Sequence, residues 1–258
     1  MKPLFLIILM FTIISGVLKV NAQNQFDVLV FSKTTGYRHD SILEGVEAIR
    51  LLGQKHHFGV TWTEDASIFK AEELKKYQVV VFLNNSDDIF NEDQKQAFKQ
   101  FINNGGGFVG IHAATATEFK WEWYGKLLGR FFEIHPKIQT AVMKVVDKNF
   151  PATFHLPDHW LWTEEWYEFQ EPLVEDLHVL ITVDESTYDP KVTWEHTNQK
   201  SDGMGAFHPI AWYHEFDGGR SFYTALGHIG VAYKDPLFLE HIYGGIFWAA
   251  TGIGIAKK

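Results

Sequence analysis

The chain predicts an α/β fold: a doubly wound, mostly parallel sheet with an additional β-hairpin region. Three observations lead there. Short apolar runs recur at Phe26–Phe31, Gln78–Leu83 and Phe108–Ile111, as expected of strands covered on both faces. These runs alternate with helix-length amphipathic segments, the pattern of right-handed parallel crossovers. Farther along, Asp217-Gly218-Gly219 between two β-like runs is a strong hairpin turn signal.

Taken in order, Phe26–Phe31 is the first strand and Ser32–Tyr37 the turn that leaves it. A helix follows over about 40–56, because Ile42, Val46, Ile49 and Leu52 fall on one face. Asp40 or Ser41 can cap its start. Val60–Thr63 is the second strand, Ala71–Lys76 a short helix and Gln78–Leu83 the third strand. Asn91–Asn103 places Phe98, Phe101 and Ile102 on a buried helical face and stops at Asn104-Gly105. Phe108–Ile111 is the fourth strand. After Thr115 the texture changes: Ile138–Val146 and Val179–Val183 are strands joined by long, aromatic connections. Ala206–Glu215 and Ser221–Leu226 flank the hairpin turn, and Pro236–Ala250 is a closing helix.

Residues 1–22 have a basic start, an apolar run from Leu4 to Leu18 and Val20-Asn21-Ala22 before Gln23. That is the pattern of a secretory signal peptide cut after Ala22, so a periplasmic or secreted location is expected. The run is short for a bilayer span of about 20 residues, and no membrane attachment is expected after cleavage. Residues 23–258 are then expected to form a single domain. The chain has no Cys, which excludes disulfides and thiol catalysis. Its formal charge is −9, and loss of Lys2 and Lys19 with the leader makes it more acidic. Such a surface repels phosphate backbones, so no nucleic-acid partner is expected. Aromatic residues make up 16% of the chain; alongside many acids and histidines they suit a carbohydrate, with rings packing on sugar C–H groups and carboxylates binding hydroxyls. For most of the Phe residues, core packing is the better explanation.

Five polar positions fall at the ends of elements. Thr35-Gly-Tyr-Arg-His39 follows the first strand, and His112 follows the fourth. Trp162 to Tyr167 embeds Glu164-Glu165 among aromatics, His208-Pro209 begins the hairpin region, and Gly227-His228 ends it. In open α/β sheets ligands bind outside the carboxyl ends of the strands, so the loops holding His39 and His112 can meet. Imidazoles there can act as bases or metal ligands, although no compact motif such as His-Glu-x-x-His is present. His56, His57, His178, His196 and His241 read as structural; His135-Pro136 fits either class. Gly105–Gly107 precedes its strand, and so reads as a helix exit rather than a phosphate loop. Gly110 and Ala113-Ala114 leave room for a tight turn at His112.

Together these segments resemble the ThuA-like (trehalose-utilisation) family over nearly all of 23–258. The resemblance rests on Thr35–His39, Gly105–Thr115, Trp121 through His135-Pro136, Glu164–Tyr167, His208–Trp212 and Gly219–His228. It implies a fold of the flavodoxin or class I glutamine amidotransferase-like type. Gly110-Ile111-His112 looks like the Gly-Ile-Cys elbow of the amidotransferases with His in place of the nucleophile, which removes their thioester chemistry.

The resemblance further implies disaccharide or glycoside catabolism through 3-keto sugars supplied by a partner sugar dehydrogenase. A 3-keto group acidifies neighbouring C–H bonds, so a base, an acid and an electrophile suffice for isomerisation or glycosidic cleavage. The expected assignment makes His112 and Glu165 the acid and base. His39, His208 and His228 polarise the keto oxygen, directly or through a divalent metal for which His39, His112, His208 and His228 are the candidates. Arg38, Trp121 and Tyr167 hold the sugar. The alternative is a non-catalytic carbohydrate-binding protein. Glu164 and Glu165 are adjacent and point different ways on a strand, so they do not form the opposed pair of a two-carboxylate glycosidase.

Overall fold

The apolar runs become the centre of the sheet. β1 (Asp27–Phe31), α1 (Ile42–His56), β2 (Gly59–Thr63), α2 (Ala71–Leu74), β3 (Val79–Leu83), α3 (Glu92–Asn103) and β4 (Gly107–Ile111) follow in turn. Next come α4 (Glu122–Leu128), β5 (Phe132–Ile134), β6 (Gln139–Val145), β7 (His159–Glu164), β8 (Glu168–Phe169) and β9 (His178–Asp184). β10 (Val192–Trp194), β11 (Gln199–Ser201), β12 (Pro209–Phe216), β13 (Gly219–Thr224) and α5 (Pro236–Thr251) complete the order. The computed structural model describes residues 23–255 apart from 172, 173 and 175; the leader expected over 1–22 lies outside the described residues.

Among the described residues one sheet of nine strands has the order β2-β1-β3-β4-β13-β12-β9-β6-β7. Its first five strands pair in parallel, in the flavodoxin-type order with β13 as the fifth strand. The remaining neighbours pair antiparallel. The expected hairpin is therefore part of the main sheet: β12 and β13 are joined through Asp217 and Gly218, both at positive φ, as a tight primed turn requires. A smaller hairpin, β10–β11, stands outside the sheet.

β3 and β4 are buried along their whole length. Successive side chains of a strand point to opposite faces. Thus Phe82 stacks on Phe98 of α3, while Leu83 lies against Gly45 of α1, and the two helices cover opposite sides. Ile42, Val46, Ile49 and Leu52 are buried as their spacing requires, as are Phe98, Phe101 and Ile102. Much of the aromatic content is core: Phe31, Phe69, Phe82, Phe98 and Phe108 form one array of ring contacts. The start of α1 differs from expectation. Ser41 makes no side-chain cap; its hydroxyl donates instead to the Gly227 carbonyl at 3.0 Å, tying the helix to the turn after β13.

His241 of α5 is fully buried, with Nδ1 2.8 Å from the Ala152 carbonyl. Burial, opposed by that hydrogen bond, pushes its pKa from 6.5 down to about 4. Between those pH values the unfolded chain binds a proton that the folded chain refuses. This contribution to stability is therefore complete above pH 6.5 and is lost as pH falls toward 4, worth about 3 kcal/mol over the window. His241→Asn keeps a donor near Nδ1 and removes the titration. Urea unfolding at pH 7 and pH 4 should show wild type losing about 3 kcal/mol more than the variant; equal losses would rule His241 out.

Candidate functional site

β4 delivers His112 straight from a buried strand into a short 3-10 turn over His112–Ala116. The backbone of His112 lies at φ 49°, a left-handed conformation that costs a non-glycine residue of order 1–3 kcal/mol. Its surroundings hold it there. Tyr223 Oη donates to the His112 carbonyl at 2.8 Å, and Thr115 Oγ1 donates to it at 3.2 Å. Gly110 provides the clearance: a Cβ there would sit 3.2 Å from Ala114 Cβ and 3.1 Å from Tyr223. The geometry is that of an elbow, and it presents an imidazole.

Three chain segments converge on that imidazole. His39, from the loop after β1, lies edge-on to it with ring centroids 4.8 Å apart. His228, just beyond β13, places Nδ1 3.3 Å from His112 Nε2. Glu165, immediately after β7, brings Oε2 to 2.9 Å from His228 Nδ1 and 3.6 Å from His112 Nε2. His135 approaches the other carboxylate oxygen at 3.7 Å. The Tyr167 ring covers both His112, at 4.2 Å between centroids, and His135, at 5.6 Å. Beneath the cluster the buried Glu164 carboxylate accepts from the Gly227 and Glu165 amides at 2.8 and 3.0 Å, fixing the two segments that carry His228 and Glu165. The adjacent carboxylates do take different roles.

The charge states follow from burial and neighbours. Burial, reinforced by His112 and His228, pushes the His39 pKa down to about 2, so this ring is neutral. Burial acts to raise the Glu165 carboxyl, but the imidazoles of His112, His228 and His135 outweigh it and hold the group well below the usual carboxylate range. Burial acts against a charged His228 as well; there Glu165 prevails and the pKa is raised. His135 is lowered, chiefly by burial and against the pull of Glu165. Glu164 is raised by burial, opposed by His112 and by the Gly227 amide.

This donor set fits a divalent metal. Ligand atoms of His39, His112, Glu165 and His228 all lie within 4.8 Å of one another. Metal bonds of about 2.0–2.1 Å place neighbouring donors of a four-coordinate site about 3.3–3.4 Å apart, close to the separations above. His112 Nδ1 lies 2.7 Å from the Ala225 carbonyl, an acceptor only. Nδ1 therefore carries a proton, and Nε2 is the atom aimed into the cluster, the usual arrangement behind a metal-bound imidazole. His39 is 5% exposed, and among the described residues its Nδ1 has no hydrogen-bond partner, which is costly unless a ligand supplies one. Three imidazoles and one carboxylate suit a transition metal better than calcium or magnesium.

Comparison with known proteins then decides the family. The model of the trehalose-utilisation family, ThuA, matches residues 27–249. The chain belongs to the ThuA family. The family's description ties it to carbohydrate metabolism. Among solved structures, a ThuA-like protein from Bacteroides uniformis is similar at 23% identity and a TM-score of 0.72, covering 88% of this chain and 92% of its own. A ThuA-like protein from Parabacteroides merdae shares 22% identity with a TM-score of 0.69, covering 90% and 92%. A cytoplasmic protein from Salmonella typhimurium is similar at 11% identity and a TM-score of 0.59, covering 86% and 98%. These likenesses show the fold, which is of the expected flavodoxin and glutamine amidotransferase-like class. No curated protein matches the sequence.

In this ThuA chain His39, His112, Glu165, His228 and Tyr167 come together, and three other expected site residues do not. His208 sits at the start of β12, fully buried, with Nδ1 2.7 Å from Glu185 Oε1 and Nε2 2.8 Å from the Tyr167 carbonyl. It thus braces the backbone of Tyr167 instead of joining the cluster. Trp121 packs on Trp123 and Tyr124, with the Lys95 ammonium over its ring. Arg38 turns its guanidinium to Glu64 at 2.7 Å. Two residues that sequence reasoning left unassigned do reach the site. One is His135; the other is Tyr37, whose ring stands edge-on to His39 at 4.8 Å.

Proposed function

We propose that this protein is a divalent-metal-dependent enzyme of carbohydrate catabolism, exported from the cell, that acts on 3-keto-glycosides or related disaccharide derivatives by isomerisation or glycosidic cleavage. The observation that carries the reading is the convergence of His39, His112, Glu165 and His228 on one point, with His39 Nδ1 buried and unpartnered. His39 enters as a neutral ligand, Glu165 as an anion, and His112 with its proton locked on the far nitrogen. A divalent metal held by these residues would supply Lewis acidity to a keto oxygen.

His135 is the base the geometry offers. Its Nδ1 lies 2.8 Å from the Pro136 carbonyl and so carries the proton, leaving the Nε2 lone pair beside Glu165. From a 3-keto sugar His135 Nε2 takes the C2 proton, and the electron pair is delocalised onto the keto oxygen. Returning that proton to C3, while the C2 hydroxyl proton passes to the former keto oxygen, completes an isomerisation to the 2-keto sugar. Alternatively, the pair forms the C1–C2 double bond as the C1–O bond breaks, and the proton passes to the departing oxygen; water then adds across the double bond. Tyr167 closes the apolar side of both imidazoles and limits water access. No Cys is present, so the thioester route of the related amidotransferase fold is closed.

Elemental analysis of the purified protein, followed by product analysis on 3-keto-trehalose, tests this. One divalent ion per chain and turnover abolished by a chelator are expected. His112→Ala should lose turnover at least ~100-fold, the scale of a general acid–base or electrostatic contribution, with an unchanged circular dichroism spectrum. Protein that holds no metal and yields no product would overturn the catalytic reading. Sugar binding without product would then favour the non-catalytic alternative.

A further inference from the structure

We infer that the cavity beside His228 is the subsite for an uncharged sugar ring; this rests on reading the histidine cluster as the reacting centre. The cavity has a volume of about 300 Å³ and is lined by Tyr37, Asp40, Glu44, Ile138, His228 and Gly230, among others. That is the lower end of the ~300–1,000 Å³ typical of small-molecule sites, and it suits one or two sugar rings. His228 belongs to both the cavity wall and the cluster, so a ring seated here has an edge at the donors.

The lining has the chemistry of a neutral polyol site. Tyr37 is 65% exposed although its ring edge contacts the buried His39, which leaves aromatic surface free for the apolar face of a sugar. Ile138, also exposed, adds apolar surface to the wall. Asp40 and Glu44 stand four residues apart where the chain runs into α1. Among the described residues neither carboxylate is hydrogen-bonded or ion-paired, so both are free to accept from hydroxyl groups. Among the described residues no lysine or arginine lines the cavity. A phosphorylated or carboxylated sugar would meet two carboxylates in a confined space, with the His228 imidazole alone on the wall to set against them, and like charges are disfavoured there. Gly230 keeps the pocket open beside Glu44: a Cβ at this position would lie 3.2 Å from Glu44 Cδ.

Calorimetric titration of the full chain with trehalose and with trehalose 6-phosphate tests the inference, with metal content measured on the same samples. Trehalose is expected to bind at least tenfold more tightly than its phosphate. Tyr37→Ala should weaken trehalose at least tenfold, and the Asp40→Lys/Glu44→Lys double variant should reverse the preference. All three positions are on the surface, so folding is checked by an unchanged circular dichroism spectrum. Equal affinity for the two sugars, trehalose binding indifferent to Tyr37→Ala, or no saturable trehalose binding at all would each overturn it. The parallel metal measurement separates this inference from the catalytic reading. Metal-free protein that still binds trehalose through Tyr37 keeps the subsite and removes the metal chemistry. Metal-loaded, active protein indifferent to Tyr37 does the reverse.

Discussion

Glu165→Gln is expected to lower divalent-metal affinity by about two orders of magnitude and to abolish turnover, while leaving the fold intact. The substitution keeps the shape and one carbonyl oxygen of the side chain but removes the one carboxylate that, among the described residues, is paired with His112, His228 and His135. A four-donor protein zinc site binds with about 10–16 kcal/mol; one donor of the four is worth about 3 kcal/mol, or about two decades in affinity. Glu165 should stand at or above that share because it alone offsets the metal's charge. Competition with a chromophoric chelator measures the effect directly. An affinity within threefold of wild type would mean that Glu165 is not a ligand.

The largest structural effect is expected from Gly227→Ala. Gly227 lies at φ 118°, a region that only glycine occupies without strain. An added Cβ would meet Tyr233 Oη at 2.6 Å and Ile111 Cγ2 at 3.0 Å. The same residue is held from four sides. Its amide donates to Glu164, and its carbonyl accepts from Ser41 Oγ, Asn84 Nδ2 and Tyr233 Oη. Backbone strain of about 1–3 kcal/mol adds to the cost of moving Tyr233 or breaking these bonds. The total should reach about 3–5 kcal/mol, at the upper end for single substitutions, and lower Tm by roughly 10 °C for a domain of this size. His228 is the next residue, so metal affinity should fall with stability. A variant of wild-type Tm with full metal binding would show that the turn tolerates a side chain.

The sequence made some of this legible and concealed the rest for physical reasons. Periodicity identifies a buried strand and the polar residue at its end, and that sufficed to find His39, His112 and His228. It says which edge of the sheet a residue occupies but not its lateral place. His208 has the right edge; however, β12 lies two strands from β4 in the sheet, and its imidazole turns to Glu185. His135 follows β5, a strand of three residues, too short to show a period. Trp121 carries a motif-like aromatic signal, and its ring is used for packing between α3 and α4. The hairpin was evident from its turn residues, whereas the insertion of β13 beside β4 depends on long-range pairing such as that of Arg220 with Gly107.

The spacing of the donors gives the site a place in time as well as in space. His39, His112, Glu165 and His228 belong to four distant stretches of chain, and His228 reaches the others only when β13 has docked between β4 and β12. Loops of that length close late, since their entropy must be overcome before their contacts form. A half-folded chain therefore lacks the site even when three of its donors have been placed. An ion held there would act as a clasp on the finished sheet, since an interaction completed last slows unfolding rather than hastening folding.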